Sequence, residues 1–150
     1  MPKVELSQIE QTNRTQYPEP YAADVAGRFY RRVGQATGLK DIGVSHCVLE
    51  PGAWSSQRHW HKGIDEFVVM LEGEAVLIEN DGETTLRPGD CAVFPKNVPN
   101  GHHLVNRTDK RCAFLAFDCQ YGEGDCHYPD IDLHYDAEQG RMTRKDGSAF

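Results

Sequence analysis

The sequence predicts an all-β fold in a single domain, a sandwich or barrel, on three observations. From Gly43 to Asp118 short apolar segments rich in Val, Ile, Phe and Leu follow one another closely. Gly, Pro, Asn and Asp stand between them at short intervals, as turns between strands require. A length of 150 residues suits one domain with one core.

The segments are assigned in order. Residues 1–42 are a lead-in whose first 20 are polar with two prolines, an arm or irregular stretch. Within it YAADVAGRFYRRVGQATGL is ambiguous: Ala22, Val25, Ala26 and Phe29 have helical spacing, but Gly27 and Gly34 weaken a helix. Residues 43–118 are the barrel core, with strand signals GVSHCVLE, WSSQRHWH, DEFVVMLEG, EAVLIE, ETTL, CAVFP, HHLVN and CAFLAFD. The turns are Pro51-Gly52, Asn80 to Gly82 and Arg87 to Asp90; hairpin and type II geometry is reason enough for Gly82 and Gly89. FVVML is apolar on both parities, so one face is expected in the interior and the other against a partner subunit. Residues 119–150 are a polar C-terminal extension, packed on the barrel or partly loose.

Composition removes several function classes. A net charge of -7 disfavours a nucleic-acid partner, and the one basic cluster, Arg28 with Arg31 and Arg32, reads as a solvated face or a local anion contact. There is no apolar run of about 18 residues for a membrane span and no apolar stretch of a secretory signal at the N-terminus, so the cytoplasm is the expected location. The five cysteines, Cys47, Cys91, Cys112, Cys119 and Cys126, are odd in number and lack C-x-x-C spacing, so free thiols are expected; only Cys119 and Cys126 suggest a bridge, in an oxidising compartment.

The chemistry concentrates in RHWHKGIDEFVVMLEG, Arg58 to Gly73. Side chains alternate along a strand, so His59 and His61 face one way and Trp60 the other. Glu66 opens the next strand with the parity of Val68 and Met70. If those strands are neighbours, two imidazoles and a carboxylate converge, a donor set for one divalent ion such as Zn, Fe, Ni or Mn. His102 and His103 start a later strand on opposite faces; parity alone does not choose between them as a fourth ligand.

Two motifs carry a family resemblance. The run from Gly52 through His59, His61 and Glu66 to Gly73 resembles the first cupin motif, G-x5-H-x-H-x(3,4)-E-x6-G. The run Gly89, Pro95, His102, Asn106 resembles the second, G-x5-P-x-G-x2-H-x3-N. The resemblance spans about residues 43–118 and implies a double-stranded β-helix, the jelly-roll cupin β-barrel, commonly a homodimer. It maps the metal ligands onto His59, His61, Glu66 and His102, with His102 preferred because H-x3-N ends at Asn106. Three departures stand out: six residues separate Gly52 from His59, Asn97 replaces the second motif's glycine, and two extra residues put Asn100 at the literal histidine spacing.

A divalent ion with four protein ligands keeps about two open positions and net positive charge, which suits anionic oxygen ligands. The expected function is therefore a metal-dependent enzyme of isomerase, lyase or dioxygenase type acting on a small oxygen-rich metabolite such as a sugar or carboxylate. The alternative is a non-catalytic binding or sensing module in the same barrel. No catalytic acid or base is singled out by spacing; Tyr30, Tyr121, Tyr128, Glu50 and Asp118 are candidates. Trp54, Trp60, Phe67 and Phe94 are assigned to packing, Arg58 to a solvated position, His46 to satisfied burial and the Cys126-His127 pair to the surface. Asp130, Asp132, His134 and Asp136 alternate as a solvated edge strand or, less favoured, a second metal site.

Overall fold

The computed structural model describes residues 3–119 and 124–150. Strand β1 (Arg28–Arg32) leads through the short helix α1 (Val33–Thr37) to β2 (Ile42–Leu49). There follow β3 (Trp60–His61), β4 (Glu66–Glu72), β5 (Ala75–Glu79), β6 (Gly82–Leu86), β7 (Cys91–Phe94), β8 (His103–Val105) and β9 (Cys112–Cys119). The last three are β10 (Cys126–His127), β11 (His134–Asp136) and β12 (Arg141–Thr143). Every named pairing is antiparallel.

One wall of the barrel is a five-stranded sheet in the order β1-β2-β9-β4-β7. The other is built from the sheets β6-β5-β8 and β12-β11-β10-β3, joined where Trp54 bridges Val105 and His59 bridges His102. The chain passes from wall to wall, so strands distant in sequence lie side by side, as in a double-stranded β-helix. Between the walls Leu49, Met70, Leu77, Leu86, Leu104 and Phe114 form the core. On β4 the alternation is as read: Val68 and Met70 are buried, and Phe67 turns outward to meet Phe117 at 6.0 Å.

The ambiguous lead-in is helical only at its end, in α1 (Val33–Thr37). Ala23–Val25 is a single 3-10 turn, and Arg28–Arg32 joins the main sheet along β2. Gly27 explains why helical spacing loses here: a Cβ at that position would lie 2.9 Å from Cβ of Ala53, so the glycine is required for close chain packing. The extension also joins the fold, since β10 pairs with β3 and β11–β12 continue that sheet.

Both departures in the second motif have local causes. Asn97 holds φ of 64°, the left-handed conformation that asparagine tolerates in place of glycine. Its backbone N–H donates to the His61 carbonyl and its Oδ1 accepts from Gly63 N–H, at 3.0 and 3.1 Å, tying this turn to the end of β3. Asn100 turns to Glu79, donating from Nδ2 at 2.8 Å, and belongs to the turn rather than to the histidine cluster.

Asn106 closes the motif in a structural role. It is fully buried; Nδ2 donates to the carbonyls of Leu49 and Lys110 at 3.0 and 2.7 Å, and Oδ1 accepts from Thr108 N–H and Oγ1. Its loss leaves several backbone groups unsatisfied in the interior. Asn106→Ala is expected to lower unfolding free energy by about 1–3 kcal/mol, and Leu49→Ala, from a side chain with 0% exposure, by about 2–5 kcal/mol. Urea unfolding followed by tryptophan fluorescence measures both, and a neutral Asn106→Ala contradicts the assigned role.

Candidate metal centre

Four side chains from separate segments meet at one end of the barrel interior. His59 and His61 flank the start of β3, Glu66 begins β4, and His102 lies against His59 just before β8. The three imidazole Nε2 atoms approach the Glu66 carboxylate: His102 at 2.9 Å, His61 at 3.4 Å and His59 at 3.8 Å. The His59 ring lies 4.9 Å from those of both His61 and His102, and Phe94 stacks on His102 at 3.6 Å with the planes 3° apart. Phe94 is thus a packing residue that also fixes a site histidine.

Backbone carbonyls orient two of the rings. Nδ1 of His59 lies 2.9 Å from the Gln57 carbonyl, and Nδ1 of His102 lies 3.2 Å from that of Asn100. A proton donated there would leave Nε2 free to ligate a cation, the usual arrangement behind a ligating histidine, whereas without one His102 Nε2 donates to Glu66. His103 separates from the cluster: its Nδ1 bonds the Ser56 carbonyl at 2.9 Å and its ring meets Trp54 edge-on at 4.7 Å.

Charge at the centre follows from burial and neighbours. Burial holds His59 neutral, pushing it down to about 3. Burial opposes ionisation of Glu66, but hydrogen bonds from His102 and His61 outweigh it and hold the carboxyl well below its usual range. Burial likewise opposes a charge on His61, yet Cys126 and Glu66 beside it prevail and push it up to about 10. A half-buried, ionised carboxylate among imidazoles is a donor set suited to a cation, and protonated His61 answers its charge without one. Two of the three triads among the described residues whose ligand atoms lie within 4.8 Å of one another are here: His59, Glu66 and His102, and, sharing His59, the group His59, His61 and Cys126. These donors fit a borderline divalent ion such as Zn or Fe(II).

Cys126 corrects the sequence reading of a surface pair. It is buried and pairs with His61 across β10 and β3, so it points inward, while His127 on the other face stacks against Trp60 at 4.2 Å. A two-residue strand carries too little pattern for sequence to reveal its inner face. The five cysteines are all free thiols.

The cluster opens into a cavity of about 740 Å³, within the usual range for small-molecule sites. Tyr30, Tyr128 and, from the arm, Tyr17 line it. Burial pushes Tyr17 up to about 12 and raises Tyr128 as well, so both phenols stay protonated as O–H donors at neutral pH. Of the other acid–base candidates, Glu50 is paired with Arg111 at 2.6 Å, Asp118 does not line this cavity, and Tyr121 lies outside the described residues. Sequence reasoning missed Tyr17 and Arg14, because nothing local in the arm shows that it folds over the barrel mouth.

Three further expectations change. Arg58 is not solvated: it grips Asp130 with two bonds of 2.6 Å and donates to the Gly101 carbonyl and to Asn80. His46 is not satisfied, since its buried Nδ1 has no partner. The alternating acidic run is not one strand or one site: Asp130 serves Arg58, Asp132 accepts from Lys145 N–H, and Asp136 caps the turn at Gln139. His134 groups instead with Asp125 and His127 on the outer face.

Comparison with known proteins bears on this geometry. The Cupin domain family model matches residues 45–118, and the chain belongs to the cupin superfamily. A crystal structure from Silicibacter pomeroyi, described as a sugar phosphate isomerase from a cupin superfamily, is 44% identical over 99% of this chain and 96% of that one, with a TM-score of 0.93. The polyketide cyclase RemF from Streptomyces resistomycificus is 15% identical over 87% of each chain, TM-score 0.71. A predicted oxalate decarboxylase from Thermotoga maritima is 20% identical over 78% of this chain and 97% of that one, TM-score 0.61. The last two share the fold. The curated proteins contain no match to the chain. No helix among the described residues is long and apolar enough to cross a membrane.

The shifted groups predict a pH signature for chelator-treated protein. Glu66 is depressed, so its contribution is complete above the unfolded value of 4.5 and is lost as pH falls through the lower folded value. His61 is raised, so its contribution is complete below 6.5 and is lost as pH rises toward about 10. The stability difference between wild type and Glu66→Gln is expected to peak between pH 4.5 and 6.5 and shrink on either side. Denaturant unfolding across pH measures it; a difference independent of pH contradicts the charge assignment.

Proposed function

We propose that the chain is a metal-dependent enzyme of isomerase type acting on a small oxygen-rich metabolite, with one divalent ion held by His59, His61, Glu66 and His102. The single observation that carries this reading is the approach of three imidazoles to one half-buried carboxylate, at 2.9 to 3.8 Å, inside a cavity of ligand size. The 44% identity to a protein described as a sugar phosphate isomerase, along nearly the whole chain, favours isomerisation over lyase or dioxygenase chemistry.

A divalent ion at this centre supplies Lewis acidity toward a carbonyl or hydroxyl oxygen. The chain's own residues do the rest. The Gln57 and Asn100 carbonyls keep the His59 and His102 lone pairs aimed inward. Phe94 fixes the His102 ring plane by stacking on it. The Tyr128 hydroxyl, held protonated by burial and hydrogen-bonded to Tyr17 and Cys126, does not act as a base and ties the arm to the thiol beside His61. Cys126 offers a thiol beside His61, and a thiolate there would strengthen the preference for Zn or Fe(II) over Mn.

Metal analysis of purified protein is expected to find about one divalent ion per chain, falling below a tenth of that in His59→Ala, His61→Ala and Glu66→Ala. Incubation with small hydroxy-aldehydes and hydroxy-ketones in deuterated water is expected to give metal-dependent isotope incorporation next to the carbonyl, by proton NMR. Ligand binding with bound metal but no turnover under Fe(II), Mn, Ni and Zn would replace the enzyme with a binding module.

A further inference from the structure

The far side of the cavity carries an uncommon concentration of positive charge. Arg28, Tyr30 and Arg32 share one face of β1, and all three line the cavity that holds the histidine cluster. Arg14 joins them from the N-terminal arm, which is fixed where Thr12 bridges Tyr30 and the Tyr30 hydroxyl donates to the Arg14 carbonyl at 2.9 Å. Arg31, on the opposite face, is occupied in holding the arm through the Ile9 carbonyl and Gln11. Among the described residues Glu66 is the one carboxylate lining this cavity, against three guanidiniums, in a chain whose net charge is -7.

These arginines are positioned but not neutralised. None forms an ion pair among the described residues. The Tyr30 ring holds the guanidiniums of Arg28 and Arg32 at 5.3 and 5.1 Å, which restricts them without satisfying their charge. Arg28 Nη1 donates to the Ser55 carbonyl at 2.8 Å, while its Nε is buried with no partner. Guanidiniums restrained on an aromatic face, with donors to spare, are preorganised for an oxyanion.

We propose that Arg14, Arg28 and Arg32 form a phosphate subsite, and that the substrate is a phosphate monoester whose opposite end reaches the His59, His61, Glu66, His102 cluster. The second half of this inference rests on the function proposed above; the subsite itself does not. A monoester carries about -1.5 to -2 charges near pH 7 and three acceptor oxygens, which match several guanidinium forks better than a carboxylate does. Length follows from topology. Strand β1 is three places from β4 in the sheet, and neighbouring strands lie about 4.8 Å apart, roughly 14 Å along the curved wall and less through the cavity. The ligand is therefore extended, with its oxygen-rich reacting end and its phosphate at opposite ends of a short chain.

The test is calorimetric binding of inorganic phosphate to metal-loaded and chelator-treated protein, with acetate in parallel and metal content measured on every sample. Phosphate is expected to bind in both forms. R32Q, R14Q and R28Q are each expected to weaken it tenfold or more while metal content stays at the wild-type level. Arg32 is exposed and its side chain makes no backbone hydrogen bond among the described residues, so R32Q is informative even if R28Q, which loses the Ser55 contact, fails to fold. No phosphate binding to wild type, or binding that vanishes with the metal and ignores the arginines, overturns the subsite. Acetate binding as tightly, and lost in the same variants, overturns the phosphate assignment. Arginine-dependent phosphate binding by a wild type that retains no metal leaves the subsite standing while the metal-centre reading fails.

Discussion

The Glu66 carboxylate is the constraint around which the barrel interior is arranged. It is ionised, half-buried, and the one acid lining the cavity beside the histidine cluster among the described residues. A buried carboxylate is costly unless several partners answer it. Here the partners come from three segments that only the barrel topology makes neighbours. His61 arrives on β3, His59 just ahead of it, and His102 through the bridge that joins the two sheets of the second wall. The same bridge that closes the barrel therefore also builds the site.

That coupling explains why residues with no chemical role belong to the motifs. Asn106 ties the chain after β8 to the end of β2 with buried hydrogen bonds, and so fixes where β8 and His102 begin. Asn97 takes the left-handed conformation early in the loop after β7 and holds the His61 carbonyl. Gly73 sits at φ of 69°, where a Cβ would lie 2.7 Å from the Arg111 carbonyl, so the bulge at the end of β4 admits no side chain. The motif spacing records the geometry of turns as much as the identity of ligands.

The cavity has two chemically distinct ends. One gathers nitrogen donors and a carboxylate; the other gathers arginines restrained by Tyr30, with buried tyrosine hydroxyls between. The arm and the C-terminal extension, which lie outside the two motifs, complete the enclosure through Arg14, Tyr17, Cys126 and Tyr128. The motif-bearing segment frames the donor cluster, while the flanking segments shape what the cavity accepts.

Sequence by itself determined the succession of strands along residues 43–118, except that WSSQRHWH is a strand only at Trp60–His61, together with the shared parity of His59 and His61 and the turn positions, because alternation and turn chemistry are local properties of the chain. It read the 22–40 segment poorly, since Gly27 and Gly34 answer to the close approach of Ala53 and of β2, which no local window contains. Strand parity left His102 and His103 open and only the family resemblance preferred His102; tertiary structure alone decided that Cys126 stands beside His61, and that Arg14 and Tyr17 reach the cavity. Each of those depends on a pairing between residues far apart in the chain, and a pairing partner is not written in the segment it pairs with.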